Sequence, residues 1–294
     1  MEELRICAFI DALGTSSIFL GDDSDKRNNM IKLINRISDR NAAQSFNHEN
    51  MDFATIARPT PQITTFSDNV ALSCIFNNIK SNYKVGNEVK IIEEDSLTFF
   101  QAMITQIISI TWEALRYGIL FRGGICLGNL VHNNDMIAGD ALVKAVLLEK
   151  ETSEARIEVQ REIIDLLDEN KSILNDFFKK ACFEEIEGRW FVKVFGYHEL
   201  VFHDHNYFME QEGLEKHTDK RDVLKYYSER VAKEYNNVLK DNNEKTIAKW
   251  DWFLADLERN FKTSEEWTGL PDSFNSMFGP IIEQTKWTEK IDPR

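Results

Sequence analysis

The sequence has little of what marks fibrous, repetitive or extracellular proteins. Its 294 residues include only 5 prolines and 13 glycines, and no segment repeats, which excludes collagen-like and low-complexity architectures. The 4 cysteines are scattered without CxxC spacing, so we expect reduced, buried thiols and no disulfide framework. Hydrophobic residues make up 43% of the chain, enough to build the core of one large domain or two modest ones.

Long apolar runs are also missing. No stretch approaches the roughly 20 apolar residues that are needed to span a bilayer. The N-terminal segment lacks the positive region and the long apolar stretch of a secretory signal. We therefore expect a soluble, cytoplasmic protein without a membrane partner.

Positive charge is in the minority. The sequence has 35 Lys and Arg against 49 Asp and Glu, a formal net charge of −14. A chain with this charge repels a phosphate backbone, so no nucleic-acid partner is expected. Most of the acidic excess lies after residue 150, which places any site for a small polyanion in the first half.

The hydrophobic pattern of the first half predicts the order β-α-β-β-α-β. This is the ferredoxin-like order of an α+β fold, in which the first strand lies centrally and runs antiparallel to the third. The predicted segments are a strand over 4–10, a helix through Ile37, a loop over 41–59, a hairpin over 62–66 and 70–76, a helix over 95–118 and a strand over 119–127.

Further strands and helices are predicted after this core. The pattern indicates that residues 219–262 are mostly helical, with one apolar stripe on each of two helices. The remaining predicted segments are a helix over 139–149, a strand over 155–159, a helix to about 178 and strands over 182–194 and 199–202.

Two aspartates meet in this topology. Asp11 ends the first strand, and Asp68 lies in the hairpin turn before the third. Alone, Asp11 could cap the next helix and Asp68 could shape its turn. Two converging carboxylates, however, are costly to bury unless a cation compensates them. Ligation by oxygen alone favours Mg²⁺ or Mn²⁺, which share their coordination sphere with substrate phosphates.

Two features near these aspartates suit a phosphate group. Gly14, Thr15 and Ser16 open the helix after Asp11, where backbone N–H groups and the helix dipole attract anions. Arg122 precedes two glycines on a predicted strand, and its guanidinium can grip phosphate oxygens in a fork. An isolated arginine is more often a surface or ion-pair residue.

Together these motifs resemble the catalytic domain of class III nucleotidyl cyclases. Residues 9–14 (FIDALG) are similar to the first metal motif of that family, 65–70 (TFSDNV) to the second and 121–128 (FRGGICLG) to its arginine strand. Residues 139–149 resemble the helix that follows. This version of the motifs is most similar to the pyrimidine cyclases of Pycsar-type bacterial antiphage defence, which make cyclic UMP or cyclic CMP.

The resemblance implies a complete set of roles. Asp11 and Asp68 would hold two Mg²⁺ or Mn²⁺ ions per active site, with the carbonyl group of Ala12 as a further ligand, and the substrate would be UTP or CTP. The enzyme would be a homodimer with composite sites, in which Thr64 and Met136 of the partner subunit face the base. Residues 1–200 would form the catalytic domain, and 201–294 a mainly helical extension packed on it.

Three positions depart from the better-known purine enzymes. Thr64 stands where adenylyl cyclases have a base-reading lysine, which favours a different base. Val143 and Leu147 stand where the family has its transition-state asparagine and arginine, so only Lys144 is left as a partial substitute. These departures leave two alternatives open, a catalytically silent nucleotide-binding module and a purine cyclase. A zinc hydrolase built on residues 203–205 (HDH) is a third and weaker alternative.

Overall fold

A computed structural model gives the fold. It describes residues 2–46, 61–76, 79–85, 88–94, 96–133, 135–169, 173–194, 205–206, 209–210, 213–217 and 220–263.

The first half alternates strands and helices as the sequence predicts, with one added hairpin and with two helices where one was predicted through Ile37. Its elements are β1 (Glu3–Ala12), α1 (Thr15–Leu20), α2 (Ser24–Phe46), β2 (Gln62–Phe66), β3 (Asn69–Ile75), β4 (Ile79–Val85), β5 (Glu88–Glu94), α3 (Ser96–Arg116) and β6 (Phe121–His132).

The second half adds short strands and five helices within the described ranges. Its elements are β7 (Ile137–Gly139), α4 (Asp140–Glu151), β8 (Ile157–Val159), α5 (Arg161–Glu169), α6 (Ile173–Cys182), β9 (Phe183–Ile186), β10 (Arg189–Val192), α7 (Lys220–Asp241) and α8 (Glu244–Thr263).

The main sheet confirms the predicted α+β, ferredoxin-like core. Its strand order is β2-β3-β1-β6-β8-β10-β9, with β7 paired to β6. β1 lies centrally and runs antiparallel to both β3 and β6, as the β-α-β-β-α-β order requires. The later strands β8, β9 and β10 extend the same sheet, and β8 runs parallel to β6.

The two faces of the sheet are covered by different helices. Ile6, Ala8 and Ile10 of β1 are fully buried in the main core, which also contains side chains of α2 and α3. Cys7 points to the opposite face and is buried with Ala141 of α4. Because successive side chains of a strand alternate between faces, Asp11 lies on the α4 face.

The C-terminal helices share the core of the sheet. Tyr227 of α7 and Trp250 of α8 are buried in the same cluster as the sheet residues, and so are other residues of the predicted apolar stripes, such as Val231 and Phe253. The ring of Trp112, on α3, lies 4.5 Å from that of Tyr227. The boundary at residue 200 stays a prediction.

Four local predictions differ from the structure or lie outside it. Helix α2 continues to Phe46, into the segment predicted as a loop, and 47–60 is outside the described residues. The β4–β5 hairpin was not predicted, because its many charged residues hide the strand pattern. One helix to about residue 178 is in fact two, α5 and α6. The strand predicted over 199–202 is not within the described residues.

Two expectations from composition can be compared with the structure. All four cysteines are free and buried, as predicted, and burial raises the pKa of the Cys7 thiol to about 12. Across the described ranges, no helix combines the length and the apolar character needed to cross a membrane.

Candidate active site

The candidate site lies at the end of the central strand. In the strand register Asp11 is opposite Asn69 of β3 on one side and Arg122 of β6 on the other. A residue at this position has a neighbour on both strands, so its side chain lies beside those of Asn69 and Arg122 at one end of the three strands, the edge of the sheet that the site occupies. The apolar residues before Asp11 fix this position, because they bury one face of β1 in the core.

The turn between β2 and β3 brings Asp68 to the same edge. Ser67 takes a left-handed conformation with φ 56°, which tightens the turn. The backbone N–H of Ala12 then donates a hydrogen bond to the carbonyl oxygen of Asp68 at 3.3 Å. The backbone of Asp68, 57 positions after Asp11 in the sequence, therefore lies beside the end of β1.

The carboxylate of Asp68 is held by two donors. The hydroxyl of Thr15 donates to Oδ2, and the side-chain amide of Asn69 donates to Oδ1 at 3.2 Å. Both oxygens keep further lone pairs, since a carboxylate has about four acceptor sites. This arrangement orients Asp68 and leaves capacity for a cation.

Arg122 is held by acidic groups of its own chain. Its Nη2 lies 3.4 Å from Oδ2 of Asp11, its Nη1 donates to the carbonyl oxygen of Thr152 at 3.4 Å, and its Nε forms an ion pair with Glu149 of α4. Glu149 is only 3% exposed. Asp11, Glu149 and the carbonyl oxygen of Thr152 therefore hold the guanidinium of Arg122, the residue predicted to bind phosphate, in place.

A glycine makes the Arg122–Glu149 pair possible. Gly124 of β6 faces α4, and a Cβ atom added there would lie 2.4 Å from the carbonyl oxygen of Ala145. Because this distance is far below van der Waals contact, only glycine lets α4 come this close to the sheet. The approach carries Glu149, one turn further along the helix, to Arg122.

The electrostatics of the edge favour a bound cation. Burial, followed by the charge of Asp68, raises the pKa of Asp11, and the charge of Arg122 opposes both effects. Burial also raises the pKa of Glu149, and the charge of Asp11 adds to that rise. A divalent ion would lower the energy of these carboxylates in their ionised form.

Two charged residues of the site were not found in the sequence. Glu149 lies in the segment 139–149 that resembles the family helix, but its ion pair with Arg122 depends on the packing of α4 against β6. Lys249 of α8 is electrostatically coupled to Arg122 and Asp11, and its pKa is lowered by burial and by Arg122. No local motif surrounds Lys249, so sequence reasoning had no signal for it.

The donor set fits Mg²⁺ or Mn²⁺ in its chemistry. Asp11, Asp68 and the backbone around Ala12 offer oxygen atoms only, which hard divalent ions prefer. Within the described part of the chain, no group of three or more His, Cys, Asp or Glu side chains is placed to hold a metal ion. An ion here would therefore rely on two carboxylates, backbone oxygen, water and substrate.

The helix opening predicted to hold phosphate is short. Gly14 has φ 83°, a left-handed conformation that turns the chain from β1 into α1. Helix α1 has only 6 residues, so its dipole adds little. The Thr15 hydroxyl points to Asp68 and not to open solvent. Phosphate binding by Gly14, Thr15 and Ser16 stays a prediction that rests on backbone N–H groups.

Thr64, predicted to face the base, belongs to a buried polar network. Its hydroxyl lies 2.8 Å from Nε2 of His132, and Nδ1 of His132 lies 2.7 Å from the hydroxyl of Ser73. Arg5 donates from Nε to the same Ser73 hydroxyl at 3.0 Å. Thr64 is thus fixed in place on the α4 face of the sheet, on β2 beside β3.

This network predicts a loss of stability in acid. Burial, and then the charge of Arg5, lowers the pKa of His132 from 6.5 to about 4. The unfolded chain therefore binds a proton that the folded chain excludes, so stability present above pH 6.5 is lost as the pH falls toward about 4. Urea unfolding should show a loss of about 2 kcal/mol from this residue between about pH 7 and about pH 5.

His132→Gln keeps hydrogen-bonding groups but cannot titrate in this window, so it serves as the matched variant. Its free energy of unfolding should vary less with pH than that of the unsubstituted protein. An equal pH dependence in both proteins would show that His132 is not a source of the acid sensitivity.

The remaining predicted site residues lie on or near α4. Lys144 pairs with Asp140 at 2.8 Å and donates to the carbonyl oxygen of Leu127 at 3.3 Å, so its amine is already engaged. Val143 and Leu147 are 59% and 55% exposed. Met136, just before β7, is also exposed.

Of the HDH segment considered for zinc, the structure describes only His205. His205 is fully buried, and its Nε2 lies 3.0 Å from Nδ1 of His217. Burial lowers its pKa to about 4. Residues 203 and 204 are outside the described ranges, so the structure offers no support for an HDH zinc site.

Comparisons with known proteins give structural matches only. No protein-family model matches the chain, and no curated protein matches it. The guanylyl cyclase Cya2 matches with 8% sequence identity and a TM-score of 0.35 over 66% of this chain and 93% of that one. A bacterial light-regulated adenylyl cyclase matches with 15% identity and a TM-score of 0.31 over 56% of this chain and 45% of that one. These values are too low to define the family of this chain or its substrate.

Proposed function

We propose that the protein is a nucleotide cyclase that converts UTP or CTP into the 3′,5′-cyclic monophosphate and pyrophosphate. The observation that carries this proposal is the meeting of Asp11, Asp68 and Arg122 at one edge of a ferredoxin-like sheet. Two carboxylates can hold metal ions and a nearby guanidinium can bind phosphate oxygens, so this arrangement suits a metal-bound triphosphate. The motif resemblance of 9–14, 65–70 and 121–128 to class III cyclases supports the same conclusion.

Asp11 and Asp68 would hold two Mg²⁺ or Mn²⁺ ions, with the carbonyl oxygen of Ala12 as a further ligand. When bound, such ions lower the pKa of the ribose 3′-hydroxyl and neutralise the triphosphate. Thr15 and Asn69 keep Asp68 oriented toward the shared edge. Asp11, whose pKa is raised, must lose its proton to act as a ligand, so activity should fall in acid.

The reaction itself requires little covalent chemistry from the protein. The 3′-oxygen attacks the α-phosphorus and forms the new P–O bond, the bond to the bridging oxygen of the β-phosphate breaks, and pyrophosphate leaves. The hydroxyl proton passes to solvent. Arg122 would stabilise the negative charge that spreads over the phosphate oxygens. Lys249 adds a second positive charge near the same edge.

The pyrimidine preference rests on position 64 and on the motif resemblance. A threonine that is hydrogen-bonded to His132 has a short reach, so a purine edge would lack the donor that a lysine supplies. We propose UTP before CTP, with the cyclic product as an antiphage second messenger. The purine alternative stays testable in the same assay.

A homodimer is part of the proposal. Phe66, Met136, Val143 and Leu147 are exposed apolar side chains around the α4 face of the sheet, and apolar exposure of this kind marks interaction surfaces. A second copy seated there would bring Thr64 and Met136 of the partner subunit toward the base.

The double variant Val143→Glu and Leu147→Glu should therefore shift the protein from dimer to monomer and reduce turnover at least tenfold, since two like charges would be buried at the interface. Sedimentation velocity measures the shift. Ile31→Glu, an exposed apolar position on α2, is the matched control and should stay dimeric. A protein that is monomeric before substitution, or a double variant that stays dimeric, would contradict this interface.

The experiment that tests the function supplies each of the four ribonucleoside triphosphates with Mn²⁺ and measures pyrophosphate and the cyclic product. Cyclic UMP or cyclic CMP supports the proposal, whereas a purine product identifies a purine cyclase. Nucleotide binding without pyrophosphate release would identify a silent module, the alternative that the exposed Val143 and Leu147 favour. Neither of these two results is compatible with a pyrimidine cyclase.

A further inference from the structure

We propose that a second anion site lies on the other side of the sheet from Asp11, in a cavity lined by Lys32, Arg36, Arg116, Tyr117, Tyr226 and Arg230. We call it the basic cavity. Its volume is about 490 Å³, and two asparagines of α2 complete the lining. The lining comes from α2, from the end of α3 and from α7, and no residue of the candidate active site takes part. The inference does not rest on the proposed function.

The charge of the basic cavity is opposite to that of the protein. Among the residues that the structure describes, four cationic side chains and no carboxylate line the cavity. The chain as a whole has a net charge of −14. Buried Glu113 pairs with Arg36 at 3.3 Å and offsets one of the four charges. Glu234 of α7 is within 3.9 Å of another cation, Lys26. Lys32 and Arg230, which also line the cavity, form no ion pair with any other residue that the structure describes, so positive charge remains there.

Two guanidinium groups converge on one tyrosine. The Cζ atoms of Arg116 and Arg230 lie 5.9 Å and 5.7 Å from the ring centre of Tyr226. Arg116 is only 3% exposed, so water screens its repulsion from Arg230 poorly. The charge of Arg116 also helps to lower the pKa of the buried His205 behind this ring. The dipole of α3 favours a cation at its C-terminal end, which accounts for Arg116. It does not account for the cations that α2 and α7 place in the same cavity.

The chemistry selects a small ligand with several phosphate charges. Guanidinium forks match phosphate oxygens in pairs, and a lysine adds a point charge at the rim. The volume suits a ligand of nucleotide size. A nucleic-acid polymer is a poor fit, because its backbone would extend over the acidic remainder of the surface.

Isothermal titration calorimetry with inorganic tripolyphosphate tests the basic cavity. The full-length protein is used at low salt with EDTA, so that metal-dependent binding at the candidate active site is suppressed. Lys32→Ala and Arg230→Gln should each weaken binding about tenfold to a hundredfold, because each removes a hydrogen bond to a charged group.

Two control variants separate this site from others. Lys240→Ala removes an exposed cation at the end of the same helix α7, and Arg122→Ala removes the cation of the candidate active site. Both should bind tripolyphosphate as the unsubstituted protein does. Absence of binding, or binding that Arg122→Ala weakens and Lys32→Ala leaves intact, would overturn the proposal. Lys32 is exposed, so its variant decides the outcome if Arg230→Gln fails to fold.

Discussion

The Asp68→Asn variant is expected to lose at least about a thousandfold in the rate of cyclisation, because it removes one of the two carboxylates that we propose to hold metal, and several kcal/mol of charge stabilisation with it. Its free energy of unfolding should change little. The amide keeps an acceptor for Thr15, and the loss of a negative charge relieves the repulsion that helps to raise the pKa of Asp11. Product formation at saturating substrate and chemical unfolding measure the two effects.

Asp165→Asn is the matched control for this variant. Asp165 is exposed on α5 and pairs with Arg161 four residues away, a type of surface pair that contributes little. Its substitution should leave both rate and stability unchanged. An Asp68→Asn protein that cyclises at the unsubstituted rate would remove Asp68 from the metal site.

The Arg122→Ala variant is expected to lose both activity and stability. Removal of one preorganised donor costs about 2 to 4 kcal/mol of transition-state stabilisation, or roughly thirtyfold to a thousandfold in rate. The substitution also leaves the buried Glu149 without its guanidinium, which should lower the free energy of unfolding by up to about 3 kcal/mol. A rate measurement alone cannot separate these two effects.

The double variant Arg122→Ala with Glu149→Gln separates them. The glutamine removes the unpaired buried charge, so the double variant should regain most of the lost stability. Its rate should stay low, because no cation faces the phosphate groups. Recovery of the rate together with stability would show that Arg122 has only a structural role.

The sequence was informative where function depends on strand order. The apolar run of β1 and the turn at Asp68 are local patterns, and the β-α-β-β-α-β order then places these strands side by side. Adjacency of Asp11 and Asp68 follows from that order without coordinates. Arg122 was identified differently, by the two glycines that follow it and by the motif resemblance, and the structure shows that its strand β6 is the other neighbour of β1.

Features that depend on packing between distant elements were not predictable. The ion pair between Glu149 and Arg122 needs the close approach of α4 at Gly124, and Lys249 reaches the site from a helix more than a hundred residues further on. The basic cavity is lined by residues of three helices, α2, α3 and α7, that are far apart in the sequence. In each case the charged residues lie close together in the fold but far apart in the sequence, so no local sequence pattern predicts their contact.

The central claim is that Asp11 and Asp68 together hold divalent metal ions at one edge of the sheet. Equilibrium dialysis of Mn²⁺ in the presence of 3′-deoxy-UTP, which lacks the attacking hydroxyl, tests it directly. We expect two Mn²⁺ ions per chain in the unsubstituted protein, and much weaker binding in both Asp11→Asn and Asp68→Asn. Equal binding of Mn²⁺ by the unsubstituted protein and both variants would contradict the claim.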